Sequence, residues 1–313
     1  MRRLRTPALF AAVVGLVLFG LAATFSRPAL AVGSQIRTFV ASTGVDTDPC
    51  SRTAPCRTFG AALAQTASGG EIVALDSGGY GAVTISQAVT IVAAPGIQAS
   101  ISPSSGAAIT VNAGASDVVV LRNLYLNAQG ASYGVLYLAA AALHVEGLVI
   151  NGFANIGVFM SLSAASDLYV ADTIVRSVTG SGIYLSSSSG TANVSIVRTR
   201  IENSNYGIFA AANVRANVKD TIAAGNGGAG FIANPFSTPV ELNLEGCVAS
   251  GNTTGISASS SSGTAVVRVS NCSVTGNGSG VSTGTNGSTL SRGNNTLEGN
   301  TTNGTFSGTY TAK

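Results

Sequence analysis

The sequence predicts an all-β solenoid, a parallel β-helix, on three observations. A Gly followed by a large apolar residue recurs at spacings of 23 or 25 residues: Gly134-Val135, Gly157-Val158, Gly182-Ile183, Gly207-Ile208, Gly230-Phe231, Gly255-Ile256 and Gly280-Val281, with Gly304 a further 24 residues on. Upstream of each Gly lies a short run rich in β-branched residues, such as Leu168-Tyr169-Val170, Leu242-Asn243-Leu244 and Val267-Arg268-Val269, whose period-2 alternation marks strands with one buried face. No helical pattern separates them, which excludes leucine-rich and other helix-containing repeats. A fixed period of this length marks a unit that cannot bury its own apolar face and must stack on copies of itself.

Taken in order, the chain opens with residues 1–31, which have the layout of a secretory leader: MRRLR, an apolar run from Ala8 to Ala23, then small residues to a predicted cut after Ala31. An uncleaved anchor is the alternative, although the run is shorter than the roughly 20 residues needed to span a bilayer. No later stretch is long and apolar enough to do so. Of 16 basic and 13 acidic residues, Arg2, Arg3, Arg5 and Arg27 leave with the leader, so the mature chain carries 12 against 13 and is near neutral. The basic pI therefore belongs to the leader, and nothing supports a nucleic-acid partner, which would call for a clustered basic face.

Residues 32–68 read as an N-terminal cap. Thr38 to Val40 is a strand, GVDTDPCSRTAPC a loop, and Thr58 to Ala67 a short helix with Phe59, Leu63 and two Ala on one side. A stacked core needs an end plug, which an amphipathic helix supplies. Residues 69–313 read as the β-helix, about ten coils. It opens with strands at Glu71 to Leu75, Tyr80 to Ile85 and Ala88 to Val92, and Phe306 and Tyr310 are candidates to cover its far end. Val135, Val158, Ile183, Ile208, Phe231, Ile256 and Val281 should form one internal column. A second set of apolar anchors is expected at Leu124, Ile150, Ile174, Ile201, Ile222, Val248 and Val274.

Four cysteines in a chain bound for an oxidising compartment allow three pairings. The local pairs Cys50–Cys56 and Cys247–Cys272 are expected, the second because residues 25 apart stack on adjacent coils near the ~4.8 Å strand spacing. Two buried thiols stacked without bonding are the alternative for Cys247 and Cys272. Asn203, Asn226, Asn252, Asn277 and Asn300 precede successive Gly residues, and Asn tolerates left-handed turns, so they are expected to form a structural ladder. The sequons Asn252-Thr253-Thr254 and Asn300-Thr301-Thr302 arise readily from such a composition and are not taken as glycosylation sites.

The segment from Thr38 to Gly96, with its aromatic-Val strand, Gly-Val-Asp turn, Pro-containing loop, helix, Gly69-Gly70 step, Ile-Val strand and Gly-Gly-Tyr turn, resembles the N-terminal module of secreted right-handed parallel β-helix proteins of the pectate-lyase-like superfamily. With the later coils, the resemblance covers nearly all of the mature chain. It implies a right-handed parallel β-helix; for activity it implies less, because the superfamily holds polysaccharide lyases and hydrolases beside relatives that bear only the scaffold.

A calcium-dependent lyase would imply carboxylates clustered on adjacent coils with a basic residue beside them. Asp172, Asp220 and Glu245, with Glu146 one position away, do not cluster, since Arg198 lies between the first two and Gly147 and Gly246 flank the set. Arg122, Asp172, Arg198 and Asp220 read as alternating charges on a solvated sheet. A hydrolase would imply grouped Asp with His and an Arg-x-Lys motif, whereas this chain has one His, His144, and no such motif. Asp46 and Asp48 read as turn residues. No catalytic residue, metal ligand or cofactor is assigned.

The functional expectation rests on apolar residues. Two positions after each Gly, where alternation points outward, stand Leu136, Phe159, Tyr184, Phe209 and Ile232. Five such neighbours make an exposed strip about 19 Å long, of the kind that marks a ligand or partner surface. Aromatic rings among Ser, Thr and Asn suit sugar stacking. The alternatives are a strip covered by the chain's own loops, or an inside-outside phase off by one. The expected function is thus non-catalytic binding of a polysaccharide, surface glycan or other extracellular partner by a secreted or periplasmic protein. A polysaccharide lyase or glycoside hydrolase acting on an acidic polysaccharide is the alternative, and a structural module docking a second chain is a third; the oligomeric state is left open.

Overall fold

The computed structural model describes residues 33–311, so the expected leader lies outside the described residues. Three parallel sheets run along the molecule. Face A has twelve strands, from Gln35–Val40 to Gly308–Thr309; face B has ten, from Gly78–Gly79 to Thr296–Glu298; face C has nine, from Val83–Ile85 to Ser279–Thr283. The chain visits A, B and C in turn, and each strand pairs in parallel with its counterpart one coil away. Nine turns carry all three strands, against about ten expected, and the architecture is a parallel β-helix.

The repeated Gly has a steric cause. On face C, Val135, Val158, Ile183, Ile208, Phe231, Ile256 and Val281 pair in register as one buried column. The Gly before each lies against face B and the next coil. A Cβ on Gly157 would fall 2.5 Å from both the Gly182 carbonyl oxygen and Val175 Cγ1, and one on Gly255 would fall 2.6 Å from the Gly280 oxygen and Val274 Cγ1. Hydrogen would be the largest group that fits.

The corner from A to B is a single left-handed residue: Asn123, Asp172, Arg198, Asp220 and Asn271 have φ between 47° and 58°, with Gly147 and Gly246 in the same place. This corrects the proposed charge column. Arg122 stands one position earlier, in register with Glu146, Ala171, Val197, Lys219 and Glu245. The corner also resets the alternation, so that the next residue points inward: Leu124, Leu148, Thr173, Thr199, Thr221, Cys247 and Cys272, all buried. Ile174, Ile222 and Val248, expected as core anchors, therefore face outward, and their inward neighbours Val175, Ala223 and Ala249 take the core. Leu124, Ile150, Ile201 and Val274 are buried as expected.

The same column explains a second difference. Thr173 Oγ1 accepts from the Leu148 N–H (3.3 Å) and donates to the Ala171 carbonyl (2.9 Å); Thr221 does the same for Thr199 and Lys219, at 3.4 and 2.9 Å. Cys272 Sγ accepts from the Cys247 N–H (3.3 Å) and donates to Ser270 (3.1 Å), and Cys247 Sγ donates to Glu245 (3.4 Å). Cys247 and Cys272 stack on adjacent coils as expected but are free buried thiols, each in the role of a Thr hydroxyl, instead of the expected bridge. Their interaction raises the Cys247 thiol and lowers that of Cys272. Cys50 and Cys56 form a disulfide in the cap loop.

At the corner from B to C the left-handed residues are Gly152, Ser177, Asn203, Gly225, Gly251 and Gly276, and again the following residue turns inward. Asn226, Asn252 and Asn277 thereby form a buried ladder. Both the backbone N–H and Nδ2 of Asn226 donate to Asn252 Oδ1 (3.0 and 2.9 Å), those of Asn252 to Asn277 (3.0 Å each), and those of Asn277 to Asn300 (2.9 Å each). Asn203 is the corner residue itself; its neighbour Ser204 joins the ladder through its N–H, 3.0 Å from Asn226 Oδ1. The Asn252 sequon is thus spent on packing.

In the cap, the helix runs from Phe59 to Gln65, with Thr58 as N-cap accepting from the Ala61 N–H, and Phe59, Ala62 and Leu63 buried. It ends two residues earlier than expected because Thr66 starts the strand that joins face A. Asp46 accepts from the N–H groups of Arg57 and Thr58, 2.8 Å each, which accounts for it as a turn residue. Asp76 ties cap to first coil by accepting from the Ser42 N–H (2.8 Å), Ser42 Oγ (2.7 Å) and the Tyr80 hydroxyl. Desolvation opposes its charge, but these bonds and Arg57 hold its carboxyl below the usual range. Phe306 packs on the far end of the core.

Two outcomes follow from the corners. A thiol reagent should find no reactive cysteine in the native protein and two after unfolding; none after unfolding would mean that Cys247 and Cys272 are bridged. Asn252→Ala strips the acceptor from two buried donors and should cost at least ~2 kcal/mol in denaturant unfolding, whereas exposed Asn193→Ala should stay within about 0.5 kcal/mol.

Candidate functional site

The five strip residues come together as the register requires. Leu136, Phe159, Tyr184, Phe209 and Ile232 are consecutive partners on face C, followed by Ser257 and Ser282. The inward neighbours of this column are Val135 and Tyr137, Val158 and Met160, Ile183 and Leu185, all buried, so the phase places the strip outside. Leu136, Phe159, Tyr184 and Phe209 are half-buried. Ile232 departs from expectation: it is only 7% exposed, in a strand, Ala229–Ala233, of which every residue is buried. The accessible strip thus spans four coils, about 14 Å.

The rings form a chain. Phe159 meets Tyr184 edge to face at 5.4 Å and 84°, and Tyr184 stacks on Phe209 at 5.1 Å and 18°. Tyr133 lies 5.4 Å from Phe159, and Tyr206 lies 5.3 Å from Phe209, edge to face. Tyr133 and Tyr206 occupy the position immediately before the repeat Gly and were not singled out from the sequence, although their shared register was there to be read. Because Tyr184 and Phe209 turn faces on each other, this pair does not form the open stacking platform expected for a sugar; outward it offers ring rims, the electropositive part of an aromatic. Burial raises the Tyr184 phenol above its ordinary value. Asn155 Nδ2 donates to the Tyr133 hydroxyl at 3.2 Å, so amide and phenol form a polar margin.

The other faces carry the charge. On face A, Arg122 bonds Glu146 (2.8 Å), and the single His, His144, stacks on Tyr169 at 4.5 Å with Nδ1 3.6 Å from Glu146. At the neighbouring corner Arg198 grips Asp172 with two bonds of 2.7 and 2.8 Å, which hold the Asp172 carboxyl below its usual range. These are exposed pairs, screened by solvent, that contribute little to stability. Among the described residues no three His, Cys, Asp or Glu side chains gather as a cation site. On face B, Tyr125, Val149 and Ile174 line up outward. Beside them a depression of about 230 Å³ is lined by Gln98, Ser100, Tyr125, Asn127, Asn151 and Arg176, among others. No helix among the described residues is long and apolar enough to cross a membrane.

The family described as the right handed beta helix region matches residues 166–302. Of the solved structures, a rhamnogalacturonan lyase aligns over 83% of this chain and 67% of its own, at 12% identity and a TM-score of 0.34, a likeness too slight to bear on substrate. No curated protein matches. The family match agrees with the three-sheet winding: the fold is a right-handed parallel β-helix.

Proposed function

We propose that this right-handed parallel β-helix is a secreted binding protein that holds an extended glycan along face C. The observation that carries the reading is the unbroken register of Leu136, Phe159, Tyr184 and Phe209 on the outside of one sheet, with Tyr133 and Tyr206 chained to it. Side chains held one per coil form a surface that repeats at ~4.8 Å, which suits a ligand that also repeats along one direction. Preformed rings lose little rotamer freedom on binding because they already pack on one another, which reduces the ordering cost of association. Sugar hydroxyl oxygens are attracted to electropositive ring rims, and C–H surfaces of a pyranose shed water against Leu136. Asn155 and the Tyr133 hydroxyl stand ready to exchange hydrogen bonds at the margin.

Secretion accords with the disulfide at Cys50–Cys56 and with the layout of residues 1–31. Catalysis by a lyase or hydrolase gains no comparable support: Glu146, Asp172 and Glu202 are engaged with Arg neighbours in exposed pairs, and among the described residues no three His, Cys, Asp or Glu side chains gather as a cation site.

A Phe159→Ala, Tyr184→Ala, Phe209→Ala triple variant that keeps the parent's circular dichroism should lose binding on a glycan array by at least about tenfold, the equivalent of ~1.4 kcal/mol. Undiminished binding by the variant, or no binding by the parent, would remove the reading. New reducing ends or unsaturated-product absorbance on incubation with acidic polysaccharide would replace it with the enzyme.

A further inference from the structure

Charge is partitioned among the three faces. The segments that form face C with its flanking turns, residues 80–88, 102–117, 128–141, 152–166, 177–191, 203–213, 225–238, 251–263 and 276–286, contain no Asp, Glu, Lys, Arg or His other than Asp117, which closes the 113–117 turn and accepts there from the Gly114 N–H (2.8 Å). The remaining charged side chains of the coils stand on face A, as Arg122, Glu146 and Lys219 do, on face B, as Arg176 and Glu202 do, or at the corner between them. All nine successive strands are thus without a formal charge, and the aromatic strip runs through the middle of that surface.

Resting on the glycan reading, we infer that the strip selects neutral polysaccharide over acidic polysaccharide. A carboxylate laid on face C would lose hydration without gaining a cation, and an ion deprived of water without a partner is strongly disfavoured. A neutral hydroxyl loses less and finds replacements, because the turns beside the strip supply Ser132, Asn155, Thr179, Ser188 and Asn205. Complementarity here is uncharged, so binding is insensitive to salt, whereas any attraction of a polyanion to Arg176, Arg198 or Arg200 is exposed to solvent and screened. The chain keeps water on this face with hydroxyls and amides alone.

The test uses the mature protein on immobilised neutral polymers (a β-glucan, a galactan and a xylan) and on polygalacturonate, each at about 50 mM and about 500 mM NaCl, concentrations that bracket the change in screening length. The expected result is retention on at least one neutral polymer, changed less than about twofold by salt and abolished by the triple alanine variant, with polygalacturonate at least about tenfold weaker and released by salt. Ser186→Lys, which plants a cation beside Tyr184, should confer salt-sensitive retention on polygalacturonate. If polygalacturonate is the better ligand and the triple variant abolishes its retention, selection for neutral polymers is overturned while the strip remains the site. Retention that survives the triple variant, or none on any polymer, overturns both.

Discussion

Parallel stacking in strict register is the constraint from which the rest of this structure follows. Each coil hydrogen-bonds to the one before it at the ~4.8 Å strand spacing, so every side-chain position becomes a column and every local choice is repeated up the axis. A column of Val and Ile fills the interior efficiently. A column of polar corner groups must instead satisfy itself, because buried N–H groups without partners are costly. Two answers run side by side: the hydroxyl and thiol series Thr173, Thr199, Thr221, Cys247 and Cys272, and the amide series Asn226, Asn252 and Asn277. Thr173, Thr221, Cys272 and the three Asn each receive the N–H of the previous coil, while the Thr and Cys members, Asn252 and Asn277 return a hydrogen bond to a nearby backbone carbonyl.

This chemistry decides what the sequence disclosed. The Gly-apolar pairs were legible because their column is steric: hydrogen at Gly157 and a branched chain at Val158 are the solution the packing admits, and the solution recurs unchanged. The outward strip was legible for the same reason, being one residue further along the same strand. The anchors at Ile174, Ile222 and Val248 were misread because the left-handed corner resets the alternation just before them. An inward Thr173 looks polar and an outward Ile174 looks like core, so hydrophobicity selects the wrong member of the pair, and only the position of Asp172 reveals the shift. Asn203 and Asn226 illustrate the same difficulty. Both suit a left-handed turn by residue type, yet Asn203 makes the corner while Asn226, following Gly225, turns inward to the ladder.

The thiols were legible as a stack and not as a bond. Spacing of one repeat shows that Cys247 and Cys272 share a column, but it does not show that the column's work is to accept one N–H and donate to one carbonyl, which Thr does two coils earlier and which a disulfide would give up. Ile232 keeps the outward phase of Phe209, its partner in register, so its burial could not be read from the alternation.

The partition of charge connects this scaffold to its proposed role. A triangular solenoid can dedicate its three faces to different tasks, because a residue's face is determined by its place in the coil and is independent of the other two. Here faces A and B hold Arg, Asp and Glu in alternating exposed pairs that maintain hydration and contribute little to stability. Face C is hydrated without ions and holds the rings. Solubility alone would be served by spreading charge over all three faces, and core packing makes no demand on outward positions such as Phe159, Tyr184 and Phe209. An uncharged face with a continuous outward ring chain is the arrangement a surface needs if it is to shed water toward an uncharged, repeating ligand while the remaining two faces keep the molecule in solution.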